Sequence, residues 1–365
     1  MAYQKEGLPN FYNDLHVERP VHLAADVTTT VFQKDIPKAV DSLMKGENVL
    51  VSDYFGSGLS ILQELSKVLR RTHKDNSFEG QRAYRSAYHD KSQHLLLRIT
   101  NHQLEVKKAP SIGWLQVLYP ELESFILPFT KVQGLNSAWQ WYEKGVSFPV
   151  LRNKVHPYFG TYFPSRTEHL VLFDNWLKRY EGPKKSAFDV GIGSGVLALM
   201  MMKHKFQLVF GTDTNPNAIV GLQIANHETK LSRKILLSHG SLFADFEQQS
   251  ELIVFNPPWL PAKRELDRLD EAIYYKETLF EDFFTAAVDR LSPDGRIVLL
   301  FSNLGQITGL SDTNPIEQEL LQNDRFEKEL MLTKKVAKAS TETKRDQHWR
   351  TEEEVQLWVL KLKQS

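Results

Sequence analysis

Apolar and polar positions give the second half of the chain a regular alternation of two periods. Predicted strands cover residues 186–191, 208–213, 234–242, 252–256 and 296–302, and predicted helices cover about 194–204, 215–229 and 275–291. Each strand is a continuous apolar run bounded by Gly, Asp, Asn or Pro, which is typical of a parallel sheet covered on both faces. The alternation predicts an open α/β sandwich.

The end of the chain has a different pattern. Residues 326–336 and 355–363 alternate apolar and polar positions, with no helix pattern between them. They are predicted to pair as an antiparallel hairpin at one edge of the sheet. The connection across 337–354 is polar and basic, and we interpret it as a solvated loop in preference to a binding patch. Its basic residues are Lys338, Lys344, Arg345 and Arg350.

The first half predicts a separate α+β domain of residues 1–150, followed by a second domain of residues 151–365. The predicted elements are helices over 37–46 and 59–72, a strand over 48–52, a hairpin of 93–99 with 103–108, and helix across the aromatic-rich stretch 114–145. The boundary falls near Phe148. We interpret the N-terminal domain as the part that selects the substrate.

Composition narrows the function further. The chain has 365 residues, equal numbers of Lys+Arg and Asp+Glu, and no cysteine, so disulfides, thiolate metal sites and cysteine nucleophiles are excluded. The longest apolar run, Val196–Met202, is too short to span a bilayer, and the start has no apolar signal region. The histidines show no close pair that favours zinc, so no metal site is predicted. These features predict a cytoplasmic protein with no membrane partner, and they leave the oligomeric state open.

Two acidic strand ends and a glycine loop form the first candidate site. Asp189, Gly191, Gly193 and Gly195 follow one strand and open a helix, and Asp213 ends the next strand. Glycines allow a sharp turn and a close approach of a ligand to the backbone, and an acid at this offset can accept hydrogen bonds from ribose hydroxyls. The alternatives are a tight turn without a ligand and an ordinary helix cap, for which Asp213, Thr214 and Asn215 are all suitable.

A second motif, Asn256-Pro257-Pro258-Trp259, follows the fourth strand of the alternation. The Asn256 side chain supplies a carbonyl acceptor, and the proline pair turns a main-chain carbonyl away from the sheet. With the aromatic ring of Trp259 as a stacking face, these groups suit a planar NH2 group. The alternative is a proline-rich loop after a strand.

With these motifs the chain resembles the class I S-adenosyl-L-methionine-dependent methyltransferases, and within them the N-methyltransferases with an (Asn/Asp)-Pro-Pro-aromatic motif. The resemblance covers residues 155–365. It implies a Rossmann-like seven-stranded sheet with an antiparallel edge hairpin, and S-adenosylmethionine as the cofactor. The group includes adenine-N6 and guanine-N2 methyltransferases and the HemK-like glutamine methyltransferases.

The resemblance also implies a role for each motif residue. Asp189 would hold the cofactor's amino group and Asp213 its ribose, and the loop glycines would line the methionine and ribose. Asn256 and the Pro257 carbonyl would hold the acceptor nitrogen, with Trp259 stacked on its plane. Two positions depart from the HemK-like pattern, because Ser241 stands where an adenine-binding Asp is common and Trp259 stands where Tyr is usual.

Residues 162–170 are similar to a segment that HemK-like proteins use as a flap over cofactor and acceptor. Arg166 and Thr167 would be its ligand contacts. The alternative is a plain helix start, in which Ser165 caps the helix and Glu168 closes a capping box. The two interpretations are compatible.

A second glycine pair, Asp53-Tyr-Phe-Gly56-Ser-Gly58, also follows a predicted strand and opens a helix. It lacks a third glycine and an acidic partner on the next strand. We therefore interpret it as a plain turn.

Three functions follow from the sequence. The first is methyl transfer to an amide or exocyclic amino nitrogen of a protein glutamine or a small molecule, which the neutral net charge favours. The second is an RNA or DNA base N-methyltransferase acting on adenine N6 or guanine N2. It is favoured by the basic stretches 67–108, where Tyr84 and Tyr88 are interleaved, and 334–350. The third is a non-catalytic cofactor-binding scaffold.

Overall fold

A computed structural model describes residues 15–75, 78–262, 274–336 and 352–363. By its internal contacts the chain divides into an N-terminal unit, Glu18–Lys144, and a second unit, Gly145–Ser365 together with the residues up to Val17. Phe148 and Val150, which the sequence analysis assigned to the first domain, pack in the core of the second unit. The basic residues predicted at 338, 344, 345 and 350 lie outside the described residues.

The N-terminal unit is an α+β domain. Its elements are β1 (Thr30–Val31), α1 (Ile36–Met44), β2 (Val49–Val51), α2 (Phe55–Thr72), α3 (Phe78–Ser92), β3 (Leu95–Thr100), β4 (Gln103–Leu104), α4 (Trp114–Leu118), β5 (Ser124–Pro128) and α5 (Phe129–Lys144). Strands β1, β2 and β3 run parallel, and β4 and β5 pair with β3 in the antiparallel sense. The predicted hairpin at residues 100–103 is confirmed.

The predicted helix across residues 114–145 is wrong in its middle, because β5 interrupts it. Phe125, Ile126 and Leu127 are almost completely buried, and the strand pairs along its whole length with β3. Burial on both faces removes the alternation of polar and apolar residues that marks a half-exposed strand. Pairing with a strand distant in sequence therefore decides its conformation.

The second unit contains the alternating elements. They are α6 (Glu168–Leu177), β6 (Ser186–Val190), α7 (Val196–Lys203), β7 (Leu208–Asp213), α8 (Pro216–Thr229), β8 (Ile235–His239), β9 (Ser250–Phe255), β10 (Leu260–Pro261), β11 (Tyr274–Tyr275), α9 (Leu279–Arg290), β12 (Leu291–Ser302), α10 (Leu304–Ile307), α11 (Pro315–Gln322), β13 (Phe326–Lys335) and β14 (Glu354–Leu362). Strand β8 ends earlier than predicted, and α9 starts later because Tyr275 belongs to a short strand.

Seven strands form one sheet in the order β13-β14-β12-β9-β6-β7-β8. The five from β12 to β8 run parallel, while β14 is antiparallel to both β12 and β13. This order is an α/β Rossmann-like methyltransferase sheet, and it confirms the predicted antiparallel hairpin at its edge. The fold class expected for the second half is therefore confirmed.

Two apolar clusters cover the faces of this sheet. One includes Leu170, Phe173 and Val196 from the helices on one side, and the other includes Phe280, Phe283 and Phe284 from α9 on the opposite side. Strand residues alternate between the clusters, as the twofold repeat of a strand requires. No helix in the described part of the chain is long and apolar enough to cross a membrane.

The parallel strands bring the predicted motifs together at the carboxyl ends of the central strands. Strand β6 leads into the glycine loop, β7 ends at Asp213, and β9 ends immediately before Asn256. Because neighbouring parallel strands end on the same side, these three segments lie next to one another. Ligands of open α/β sheets bind beyond the carboxyl ends of the strands.

Candidate active site

The glycine loop between β6 and α7 has positive φ angles, which residues with a side chain adopt only with backbone strain. Gly191, Gly193 and Gly195 have φ values of +68°, +50° and +78°. A Cβ on Gly195 would lie 2.7 Å from Leu222 Cδ2, and one on Gly193 would lie 3.1 Å from the carbonyl oxygen of Tyr162. The last two glycines therefore let a helix and a loop approach more closely than a side chain allows.

Asp189 lies at the end of β6 and is completely buried. Its Oδ2 accepts a hydrogen bond of 2.8 Å from the Ala198 amide in α7. Its Oδ1 has no hydrogen-bond partner among the described residues. Burial raises the pKa of Asp189 well above its usual range, and the nearby charge of Asp213 adds to this, while the Ala198 amide opposes it. An acceptor oxygen at this place is thus free for a ligand donor.

Asp213 joins the glycine loop to the next helix. Its Oδ2 accepts from the Gly193 amide and its Oδ1 from the Asn215 amide, each over 2.8 Å. Burial raises the pKa of Asp213, and the two amide hydrogen bonds partly oppose the increase. Asn215 is the residue that caps α8, with its own side chain accepting from the Asn217 amide. The predicted helix-cap alternative therefore applies to Asn215, not to Asp213.

Ser241 lies in the turn that follows β8 and is exposed. The turn begins where the Gly240 amide donates to the Asp213 carbonyl over 2.9 Å. A nearby acid, Asp245, accepts from the Ser238 hydroxyl over 3.2 Å. This acid lies four positions beyond the place where sequence reasoning looked for one.

The segment before α6 lies across the glycine loop. The Ser194 amide donates to the Tyr162 carbonyl over 3.1 Å. From α8, Asn215 donates to the Gly160 carbonyl over 2.8 Å and Asn217 donates to the Phe159 carbonyl over 2.9 Å. These bonds place residues 159–162, most of which precede the predicted flap of residues 162–170, beside the glycine loop and the start of α8.

Arg166 forms an ion pair with Glu353, and Thr167 is the residue before the first turn of α6. The Thr167 side chain makes no capping hydrogen bond, and the Glu168 carboxylate accepts from the Thr167 amide over 3.1 Å. The predicted capping box with Ser165 is therefore wrong, because the helix starts two residues later. Through Glu353, Arg166 links this segment to the residue before β14.

The Asn256-Pro257-Pro258-Trp259 motif leaves the sheet edge directly after β9. The Trp259 Nε1 donates to Asn256 Oδ1 and to the Leu300 carbonyl, each over 3.2 Å. Pro257 is buried, while Asn256 and Trp259 are half-buried. The indole therefore fixes the orientation of the Asn256 amide, a contact that the sequence did not indicate.

Sequence reasoning missed two further buried polar side chains, His169 beside Trp259 and Glu353 beside Arg166. His169 is 1% exposed, and its ring edge meets Trp259 with centroids 5.4 Å apart. Within the described residues, the two ring nitrogens of His169 have no hydrogen-bond partner. The same holds for Oε1 of Glu353. Burial lowers the pKa of His169 to about 4, with a contribution from the Arg166 charge, against an opposing effect of Glu168. His169 and Glu353 sit in sequence stretches with no motif to mark them.

The residues present fit S-adenosylmethionine. Asp189 offers a free acceptor oxygen, Asp213 offers carboxylate oxygens at a strand end, and a Cβ on Gly191 would meet nothing closer than Phe255 at 3.7 Å, so a ligand can approach the backbone there. These groups match an ammonium group, ribose hydroxyls and an extended chain, respectively. Where the structure describes the chain, no cluster of three or more His, Asp or Glu residues suits a metal ion.

The basic stretch 67–108 is largely engaged within the N-terminal unit. Arg70 lies 4.9 Å over the Tyr84 ring, and Tyr84 stacks against Tyr88. Lys67 pairs with Glu64, Lys91 with Asp90, and Arg98 with Glu105. These contacts favour a solvated helix surface over a face with free aromatic rings.

The strand order, the glycine loop and the acidic strand ends together define an α/β methyltransferase fold with S-adenosylmethionine as its cofactor. Residues 171–313 match the family model for the methyltransferase small domain. The chain is 25% identical over 126 residues to a protein named as an N5-glutamine methyltransferase of Methanocaldococcus jannaschii, covering 34% of this chain. It is 31% identical over 78 residues to a ribosomal protein L11 methyltransferase of Lachnospira eligens, covering 21% of this chain.

These alignments span 59% of the first relative's length and 24% of the second's. Among solved structures, the chain is similar to a ribosomal protein L11 methylase of Lactobacillus delbrueckii subsp. bulgaricus. That similarity has a TM-score of 0.38 and 22% identity, over 61% of this chain and 93% of the other.

Proposed function

We propose that the protein transfers a methyl group from S-adenosylmethionine to an amide nitrogen of a protein substrate. The observation that carries this proposal is the Asn256-Pro257-Pro258-Trp259 motif at the carboxyl end of β9, beside the glycine loop and Asp213. Asn256 and the Pro257 carbonyl supply two acceptors for the two hydrogens of a planar NH2 group. Trp259 holds the Asn256 amide in place by its N–H.

The cofactor supplies a methyl carbon on a sulfonium, which is open to attack by a nitrogen lone pair. An amide lone pair is delocalised and therefore a poor nucleophile. Hydrogen bonds from both of its hydrogens to Asn256 and Pro257 turn the nitrogen toward a pyramidal geometry and aim it along the line of displacement. As the N–C bond forms, the C–S electron pair stays on sulfur and the nitrogen releases one proton to water.

The protein acceptor is supported by two features. The two relatives described above are named as methyltransferases of proteins, one of glutamine and one of ribosomal protein L11. The charge balance of the chain is neutral, which gives no general attraction to phosphate. The interleaved tyrosines that favoured a nucleic-acid acceptor are packed within the N-terminal unit.

The test uses methyl-labelled S-adenosylmethionine, purified protein and a cell extract separated into protein, RNA and small-molecule fractions. Wild type should label the protein fraction, and the label should survive as N-methylated glutamine or asparagine after digestion. Asn256→Ala should lose labelling by about a hundredfold or more while keeping its affinity for S-adenosylhomocysteine.

Other outcomes decide among the alternatives. Label in RNA alone would replace the protein acceptor by a base amino group. Cofactor binding without label in any fraction, for wild type and Asn256→Ala alike, would favour a scaffold without catalytic activity.

A further inference from the structure

A cleft in the N-terminal unit lies beyond the carboxyl ends of β1 and β2. Its volume is about 500 Å³, and its walls include Lys34, Asp53, Tyr54, Gly56, Ser57 and Lys108. In open α/β sheets, ligands bind outside the carboxyl ends of parallel strands. The volume also falls within the range of small-molecule sites. The cleft thus has the position and the size of a ligand site, and its lining residues all belong to the N-terminal unit.

Gly56, the first of the two glycines in the segment that the sequence analysis interpreted as a plain turn, lines this cleft. A Cβ on Gly58 would lie 2.1 Å from the Phe129 ring, so this glycine allows α2 to pack closely against α5. A Cβ on Gly56 would meet nothing within 4 Å. Gly56 therefore leaves an open face where a ligand can reach the backbone, and close packing does not explain it.

The charged groups of the cleft favour an anion. Lys34 and Lys108 line it, against the single acid Asp53. The Asp53 carboxylate is engaged in part, because its Oδ2 accepts from the Ser57 hydroxyl over 2.9 Å. Lys107 and Lys108 extend their ammonium groups to 5.7 and 5.8 Å from the Tyr54 ring centre. Positive charge is thus gathered around an aromatic ring that is 42% exposed.

Both lysines of the cleft also hold an uncommon backbone conformation. Lys34 has φ of +66° and Lys108 has φ of +55°. Residues other than glycine, asparagine and aspartate rarely adopt these angles, and such residues cluster at ligand sites. The sheet and the loops around it fix where these two side chains leave the backbone.

We propose that this cleft binds the phosphate of a nucleotide, with Lys34 and Lys108 contacting the phosphate and Tyr54 packing against the sugar or base. Asp53 opposes a second anionic group elsewhere on the ligand, so the ligand carries its charge at the phosphate end. The nucleotide can be free or at the end of an RNA strand, since both present the same phosphate chemistry.

The test measures binding to the full-length protein at low salt, with S-adenosylhomocysteine added in excess to fill the methyl-transfer site. The probes are inorganic phosphate, uridine 5′-monophosphate and a short 5′-phosphorylated RNA, each followed by calorimetry. Lys34→Gln and Lys108→Gln should each weaken binding of the charged probes about tenfold, and added salt should weaken wild-type binding. Lys45→Gln is the matched control, because Lys45 is exposed and pairs with Asp41 outside the cleft.

Gly56→Glu separates binding from folding. An acid in the first turn of a helix stabilises it, so this variant should keep the wild-type melting temperature or exceed it. Its carboxylate should abolish binding of all three probes. Binding of uridine 5′-monophosphate supports a free nucleotide, and binding of the RNA alone supports an RNA end. The proposal would be overturned if no probe bound at a concentration of about 10 mM. It would also be overturned if the three cleft variants bound the probes as tightly as wild type does.

Discussion

The backbone amide of Gly193 donates to the Asp213 carboxylate over 2.8 Å, which joins the glycine loop to the end of the neighbouring strand. The same carboxylate holds the first residues before α8 through the Asn215 amide. One side chain therefore fixes two segments that line the cofactor site. Asp213 ends β7, and the carboxyl end of such a strand is where we expect ribose hydroxyls to bind.

Replacing Asp213 should weaken cofactor binding strongly. Asp213→Ala removes the acceptor of two amides and the proposed ribose contact, and hydrogen bonds to a charged group contribute about 1.5–3 kcal/mol each. We expect the dissociation constant of S-adenosylhomocysteine to rise at least tenfold in calorimetry. Asp289→Asn is the control, since that acid lies at an exposed position of α9. Equal losses in both variants would contradict the assignment of Asp213.

Gly193→Ala should disturb the flap more than backbone strain alone predicts. Its φ of +50° imposes a cost of about 1 kcal/mol on any other residue, and its Cβ would lie 3.1 Å from the Tyr162 carbonyl. Gly309→Ala has the same kind of angle, φ +65°, with nothing within 4 Å. Both variants should lose stability in urea unfolding, but only Gly193→Ala should also lose cofactor affinity. Unchanged affinity in Gly193→Ala would show that the close approach of Tyr162 is not needed.

Trp259→Phe tests whether the indole N–H positions Asn256. The change removes one donor to Asn256 Oδ1 and to the Leu300 carbonyl. We expect kcat for methyl transfer to fall about tenfold, with the affinity for S-adenosylhomocysteine unchanged within about twofold. Trp358→Phe removes a comparable buried indole donor, to Gln356, away from the motif. It should lower stability and leave the kcat of the folded protein intact.

His169 should make stability depend on pH between its two pKa values. Burial lowers the pKa of His169 in the folded protein from 6.5 to about 4. Protonation then favours the unfolded chain, so stability is complete above pH 6.5 and falls as the pH drops toward 4, by roughly 3 kcal/mol.

The measurement is urea unfolding of wild type and His169→Phe from pH 7.5 to 4. The raised pKa of Asp213 increases stability as the pH falls, which is opposite to the effect of His169. Both proteins contain Asp213, so its effect cancels and the difference between the two curves reports His169 alone. His227→Gln, at an exposed position of α8, is the control. The difference in stability between wild type and this variant should not change with pH. A flat difference for His169→Phe would mean that the imidazole has a partner in solution.

Most strands and helices of the second unit can be predicted from the local sequence pattern, although β10, β11 and α11 were not. Runs such as Leu252–Phe255 are apolar at every position, so only a sheet covered on both faces buries them, and the glycines and acids that follow mark where ligands can approach. The edge hairpin and the positions of Asp189, Asp213 and Asn256 at strand ends follow from this pattern, whereas the seven-stranded Rossmann-like sheet was implied by the resemblance to class I methyltransferases.

The contacts between side chains of distant segments depend on the tertiary structure. Strand β5 looked helical because its burial comes from pairing with β3. Glu353 lies 187 positions from Arg166 in sequence, and His169 has no motif around it, yet the fold pairs Glu353 with Arg166 and places His169 against Trp259. The cleft beside Gly56 is equally invisible in sequence, because Lys34 follows β1 and Lys108 follows β4, and the two meet only when the N-terminal unit folds. Local periodicity records which positions are buried, whereas the contacts that define a site depend on how separate elements pack.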